Sequence, residues 1–222
     1  MWYDYAMEVE QMEAVKTIAP ATGKPLAPQK VTFDAFIEWL DEDTRAELEN
    51  GEIVMASPAS RTHQDIAVWL ITILKPYISH RKLGWITNAP FQIRLRQSDQ
   101  SREPDLVFLK TEHLDRLKNT YLDGAADLII EIISPESINR DRGHKFVEYE
   151  QEGIPEYWII DPLRKQAEFY HLGKDKLYHL SPPNADGVYY SKSVDGFFLT
   201  VNWLWQDPLP DELEVLRQIG VL

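Results

Sequence analysis

The sequence contains no cysteine, which removes a disulfide framework, a thiol nucleophile and a cysteine-ligated zinc from consideration. The absence is compatible with a reducing compartment, and a cytoplasmic location is the expectation. Long hydrophobic runs are missing too: His, Lys and Pro break the longest apolar stretches well short of the ~20 residues that span a bilayer. The N-terminal MWYDYAMEVEQMEAV has no basic region leading into an apolar core, so neither export nor a membrane partner is expected. Positive charge is the third shortage. Twenty-three Lys and Arg face 36 Asp and Glu, a net charge of −13, which disfavours non-specific association with polyanions. Any nucleic-acid contact must therefore be local. Basic residues gather at Arg94, Arg96 and Arg102, around one expected hairpin, and at Arg140, Arg142, His144 and Lys145, with Arg140 and Arg142 the first candidates for phosphate contact. Ordinary solvated charge is the competing reading of both groups.

What is present is the composition of a folded protein: 222 residues, 44% hydrophobic and 11% aromatic, enough for one sizeable core. Residues 1–30 read as a tail and a Pro/Gly-marked linker, APATGKPLAPQK, with residues 31–222 as the folded domain. Thr32 is a plausible N-cap for a helix with Phe33, Phe36, Ile37 and Leu40 on one face, leading to Asn50-Gly51 as a turn into a strand. SPASRTHQDIAVWLITILKPYISH predicts a long capped helix with Pro76 near its end or kinking it. GWITNAPFQIRL and EPDLVFLK read as strands, and the continuous apolar run DLIIEIIS as a central strand covered on both faces. INRDRGHKFVEYEQEG reads as a helix stopped by Gly153, followed by the buried strand IPEYWIIDP, which makes a strand–helix–strand crossover. Shorter strands and a terminal helix at DELEVLRQIG complete a mixed α/β (α+β) pattern without internal repeats.

Glu131, inside DLIIEIIS, is the residue out of place. An ionised carboxylate in a buried strand is costly unless paired or bound to a cation. Asp105 opens the preceding strand after Pro104, and the two acids converge if those strands are neighbours. Hard divalent cations take one or two carboxylates and fill the remaining positions with water and substrate phosphate, which gives the pair a chemical purpose. Asp after Pro is also a common strand-entry residue, so the spacing alone leaves both readings open.

A PD element, a strand with a central Glu and a following Lys together resemble the PD-(D/E)xK phosphodiesterase superfamily with its restriction-endonuclease-like fold. More closely, AELENGEIVMASPASRTH, REPDLVFL and DLIIEIISPESINRDRGHKFVEYEQEGIPEYWIIDP resemble the Uma-two family of endonucleases, abundant in cyanobacteria, over residues 31 to 205. The resemblance implies a central mixed sheet flanked by helices and metal-dependent hydrolysis of nucleic-acid phosphodiesters, with DNA the first expectation. It implies Asp105 and Glu131 as ligands of Mg²⁺ or Mn²⁺, the Ile132 carbonyl completing them, and Lys145 orienting or deprotonating the attacking water. Glu47, in AELENG, would be the helix acid that holds a metal water or a second ion. The superfamily's lysine would stand at position 133, where this chain has Ile133, so the amine must come from Lys145. Lys145 also lies four residues after Asp141, as in an ordinary surface pair. Glu47 also fits an exposed residue on a last helical turn. His63 matches a family position but reads as structural, and Tyr149, Tyr157 and Trp158 read as core. A rival class remains: a degenerate nuclease fold acting as a binding or assembly module, which the acidic charge, Ile133 and the aromatic C-terminal strands as a possible homo-oligomer interface would suit.

Overall fold

The computed structural model describes residues 30–134 and 140–222; the expectations for the N-terminal tail, and for the helix start at Ile138-Asn139, lie outside them. Helix α1 (Phe33–Trp39) is capped by Thr32, whose side chain accepts the Ala35 N–H. It is followed by the hairpin of β1 (Ala46–Glu49) and β2 (Glu52–Met55). Asn50 and Gly51 both have positive φ, 52° and 82°, the backbone of a two-residue turn whose twist suits antiparallel strands. Helix α2 (Arg61–Arg81) is capped by Ser60 and runs through Pro76 without ending there.

The strands of the described residues form three sheets. One has the order β2-β1-β5-β4-β7, with β4 (Gln92–Leu95), β5 (Gln100–Arg102) and β7 (Tyr121–Asp123). The largest is six-stranded, β11-β10-β9-β8-β6-β3. Its members are β3 (Gly84–Asn88), β6 (Leu106–Lys110), β8 (Leu128–Ile132), β9 (Glu156–Asp161), β10 (Gln166–Leu172) and β11 (Tyr178–Leu180). A small pair, β12 (Val188–Tyr190) and β13 (Phe198–Thr200), stands apart. The large sheet is mixed: β8 and β9 run parallel, joined through α3 (Lys145–Glu152), while the other neighbours are antiparallel. The expected crossover is therefore present, and α3 stops at Gly153, in the left-handed conformation with φ 85°. Helix α4 (Glu212–Gln218) closes the chain. GWITNAPFQIRL divides between two sheets rather than forming one.

Alternation in β8 sorts its side chains. Leu128, Ile130 and Ile132 pack with Ile66, Leu70, Ile73 and Leu74 of α2, whereas Ile129 and Ile133 face Tyr149 of α3 and Ile93 of β4. The strand is buried on both faces, which is why it reads as an unbroken apolar run. Tyr149, Tyr157 and Trp158 are core residues, as expected. Among the described residues no helix is long and apolar enough to cross a membrane.

One buried acid is structural. Glu156, at the start of β9, accepts five hydrogen bonds, from Trp158 Nε1, the Tyr189 and Ser191 hydroxyls and the Lys192 and Ser193 amides, at 2.6–3.0 Å. Burial alone would raise its pKa, but hydrogen bonds, those of Tyr189, Trp158 and Ser193 among them, hold it below the ordinary 4.5. A carboxylate depressed in the folded state stabilises fully above its unfolded value and loses that contribution as pH falls through the folded one. Glu156→Gln should therefore cost stability at pH 7 and shrink the loss on acidification below pH ~4.5. Urea midpoints at pH 7 and pH 3 test this; an equal cost at both would refute the charge-based account.

Candidate active site

The antiparallel register of β6 and β8 pairs Leu106 with Ile130, so Asp105, one residue earlier, comes opposite Glu131, one residue later. Asp105 Oδ2 accepts the Ile132 N–H at 2.6 Å and lies 2.9 Å from His63 Nε2. Glu131 is buried and sits on the α3 side of β8. Its Oε1 accepts from Lys145 Nζ at 2.9 Å and from the Tyr149 hydroxyl at 2.8 Å. Lys145 and Tyr149 are four apart on one helical face, which lets both reach the same oxygen. The second oxygens, Asp105 Oδ1 and Glu131 Oε2, accept no hydrogen bond from a described residue.

Position 133 explains the relocated lysine. Ile133 shares the face of Glu131, but its side chain is buried against Tyr149 and Ile159. The ammonium arrives instead from the first residue of α3. Lys145 is only 3% exposed. It lies 3.1 Å from Glu47 Oε1 and 3.5 Å from Asp141 Oδ1, so the surface-pair reading is corrected: the Asp141 pair exists, but inside the protein.

Glu47 is corrected as well. It is on strand β1 rather than a helix, and it is buried. Ala46 and Leu48 pack with Phe33 and Phe36, so the intervening Glu47 points the other way. Its Oε1 accepts the Glu103 N–H at 3.1 Å and its Oε2 accepts from Arg102 Nη1 at 3.1 Å. Both oxygens are thus engaged by protein groups.

The basic clusters also change meaning. Arg102 is wholly buried, with two 2.7 Å bonds to Glu148 and a contact to Glu49 at 3.3 Å. Arg94 pairs with Asp34 and Asp99, Arg96 with Asp123, and His144 with Glu49. Arg142 pairs with Asp161 and Glu168. These charges are committed to carboxylates within the fold, which accounts for part of the acidic surplus; the Arg140 side chain lies outside the described set.

Asp105, Glu131, Ile132, Glu47 and Lys145 line one cleft of about 90 Å³, joined by His63, Glu103 and Asp141. That volume holds several waters, one needing roughly 10–15 Å³. Burial pushes Asp105 up to about 7 and Glu131 up to about 8, with neighbouring carboxylates adding to burial and Lys145 opposing it. Burial would lower Lys145, but Glu131, Glu47 and Asp141 outweigh it and raise its pKa. An ammonium held this way is a hydrogen-bond donor to the carboxylates around it. His63 is lowered, chiefly by burial. The cleft thus gathers five carboxyl groups, Glu47, Glu103, Asp105, Glu131 and Asp141, around Lys145 and Arg45.

The donors fit a hard divalent cation. Two carboxylates each keep an oxygen without a donor among the described residues, their raised pKa values mark a field that a cation would relieve, and the space admits water. Among the described residues no three His, Asp or Glu side chains form a ready-made metal cage. Mg²⁺ commonly uses one or two carboxylates with waters and substrate phosphate rather than such a cage.

The sequence reading left His63 and Asp141 outside the site, the first as structural and the second as a surface partner of Lys145; the structure places both in the cleft lining. The signal for Asp141 was its i,i+4 relation to Lys145; for His63 it was the Ser60 cap, whose oxygen accepts the His63 N–H at 3.2 Å and fixes the first turn.

A family model, Uma2, described as "Putative restriction endonuclease", matches residues 33–202. An uncharacterised protein of Synechocystis sp. is 26% identical over 156 residues, covering 68% of this chain and 80% of that protein. A crystal structure from Anabaena variabilis, described as "a putative nuclease belonging to DUF820", matches with a TM-score of 0.65 at 17% identity. The match covers 79% of this chain and 97% of that one, and a likeness at that identity speaks to the fold alone.

Proposed function

The chain belongs to the Uma2 family, and from that premise we propose that it hydrolyses phosphodiester bonds of nucleic acid, DNA first among the substrates, with a divalent cation held by Asp105 and Glu131. The observation that carries this reading is the meeting of Asp105, Glu131 and Lys145 in one cleft, with the ammonium 2.9 Å from Glu131. Bound there, Mg²⁺ or Mn²⁺ would act as a Lewis acid and lower the pKa of a water. The Ile132 carbonyl is the remaining protein donor at the strand end. Lys145 orients the attacking water and offsets charge growing on the phosphate, while Glu47, itself anchored by Arg102, holds Lys145 in place. The Ile132 N–H fixes the orientation of Asp105.

The test is incubation of supercoiled plasmid, single-stranded DNA and RNA with the wild type and Asp105→Ala, each with Mg²⁺, Mn²⁺ or chelator. Cleavage is expected with a cation and the wild type only. Activity persisting in chelator or in Asp105→Ala would sink the proposal. One observation favours a second reading, a nuclease fold retained as a binding or assembly module: Arg142, one of the two arginines expected to meet phosphate, is tied to Asp161 and Glu168. That reading predicts no cleavage and no rise in melting temperature with millimolar Mg²⁺ or Mn²⁺, since a ligand of the native state must stabilise it.

A further inference from the structure

His63 presents a problem that the reading above leaves unsolved. Both ring nitrogens are shielded from solvent, and among the described residues neither has a hydrogen-bond partner. A buried polar group without a partner is costly, and one in a folded protein usually points to a water or an ion. Nε2 nevertheless lies 2.9 Å from Asp105 Oδ2. The distance suits a hydrogen bond, but the direction does not.

Both facts have one explanation. Adjacent ligands of an octahedral cation with bonds of about 2.0–2.1 Å lie about 2.8–3.0 Å apart, without pointing at each other. Each points at the ion. Asp105 Oδ2 can serve in this way while accepting the Ile132 N–H, because a carboxylate oxygen has two lone pairs. The ring is held for this by the Ser60 cap and by the rest of α2, whose next turn is anchored by buried Ile66, Ala67 and Trp69.

We infer that His63 Nε2 is a cation ligand beside Asp105 Oδ2, so that the site is a mixed nitrogen–oxygen one that prefers Mn²⁺ or a later first-row divalent ion to Mg²⁺. The inference rests on the metal-site reading of Asp105. Imidazole nitrogen suits first-row transition ions, whereas all-oxygen sites suit Mg²⁺, so His63 is the residue that sets the choice of metal.

The experiment is electron spin-echo spectroscopy of Mn²⁺ added to the full chain, with the Mn²⁺ and Mg²⁺ dissociation constants measured alongside. Bound Mn²⁺ should show imidazole ¹⁴N modulation that changes on [¹⁵N]histidine labelling and disappears in His63→Gln. The same substitution should lower the preference for Mn²⁺ over Mg²⁺ by at least about 10-fold, a loss that removal of an outer-shell partner alone can produce. The labelled wild type gives a readout even if the variant folds poorly. Mn²⁺ that binds, is lost in Asp105→Ala and shows no histidine nitrogen would overturn the role of His63 and leave the metal-site reading standing. Mn²⁺ that does not bind, or binds equally in Asp105→Ala, would overturn both. Modulation that survives in His63→Gln would assign the nitrogen to another histidine and overturn the inference.

Discussion

Lys145→Met is expected to lower cleavage by about 10²–10³-fold, the range seen when one preorganised donor to a transition state is removed, while cation binding becomes tighter. The two effects have a common cause. The ammonium lies 2.9 Å from Glu131, 3.1 Å from Glu47 and 3.5 Å from Asp141, so it competes with a metal ion for the same negative field. Removing it leaves those carboxylates to the cation, but takes away the group proposed to orient water and meet the charge developing on phosphate. Every tenfold gain in affinity adds about 1.4 kcal/mol of stabilisation at saturating cation. The melting temperature of the variant should therefore rise more on adding Mn²⁺ than that of the wild type. Lys145→Arg should not restore cleavage, because the planar guanidinium is wider than the ammonium and is shaped for bidentate contacts. Turnover and melting temperature, with and without Mn²⁺, settle the matter for each variant. Wild-type turnover in Lys145→Met would reduce the lysine to a counter-charge for buried acids.

That lysine also shows where the sequence was informative and where it was not. The apolar run around Glu131, the Pro before Asp105 and the Gly at the end of α3 are local signals, and each has a local physical cause: a strand buried on two faces, a strand entry, a left-handed cap. They were legible for that reason. Glu47 was misread because RAELEN is rich in good helix formers, whereas its conformation is decided by pairing with β2 and β5 and by Ala46 and Leu48 packing under α1. Pairing of that kind overrides propensity. Arg102 was read as a surface cation because nothing nearby in sequence announces Glu47, Glu49 and Glu148 together. The unpartnered nitrogens of His63 are likewise a matter of direction in space, which spacing along a chain does not encode.

Arg102→Met should be the most destabilising of the substitutions considered, at about 3–5 kcal/mol, the cost of removing one member of a buried ion group. The guanidinium is fully buried and its pKa is driven upward: burial opposes the charge, but the Glu148 hydrogen bonds and the nearby Glu47 outweigh it. It holds Glu148 on α3 and Glu47 on β1 at once, so it ties the helix that carries Lys145 to the strand that steadies it. Methionine fills much of the volume but leaves Glu47, Glu49 and Glu148 without the guanidinium they share, with only Lys145 still beside Glu47 and His144 beside Glu49. Adding Glu148→Gln to Arg102→Met should recover part of the loss, because it relieves one of those carboxylates. Contacting residues are non-additive in this sense, and urea unfolding of the two single variants and the double variant measures the coupling. Strict additivity would mean that Arg102 stabilises by packing alone, and the chain of contacts from Arg102 through Glu47 to Lys145 would then have no energetic content.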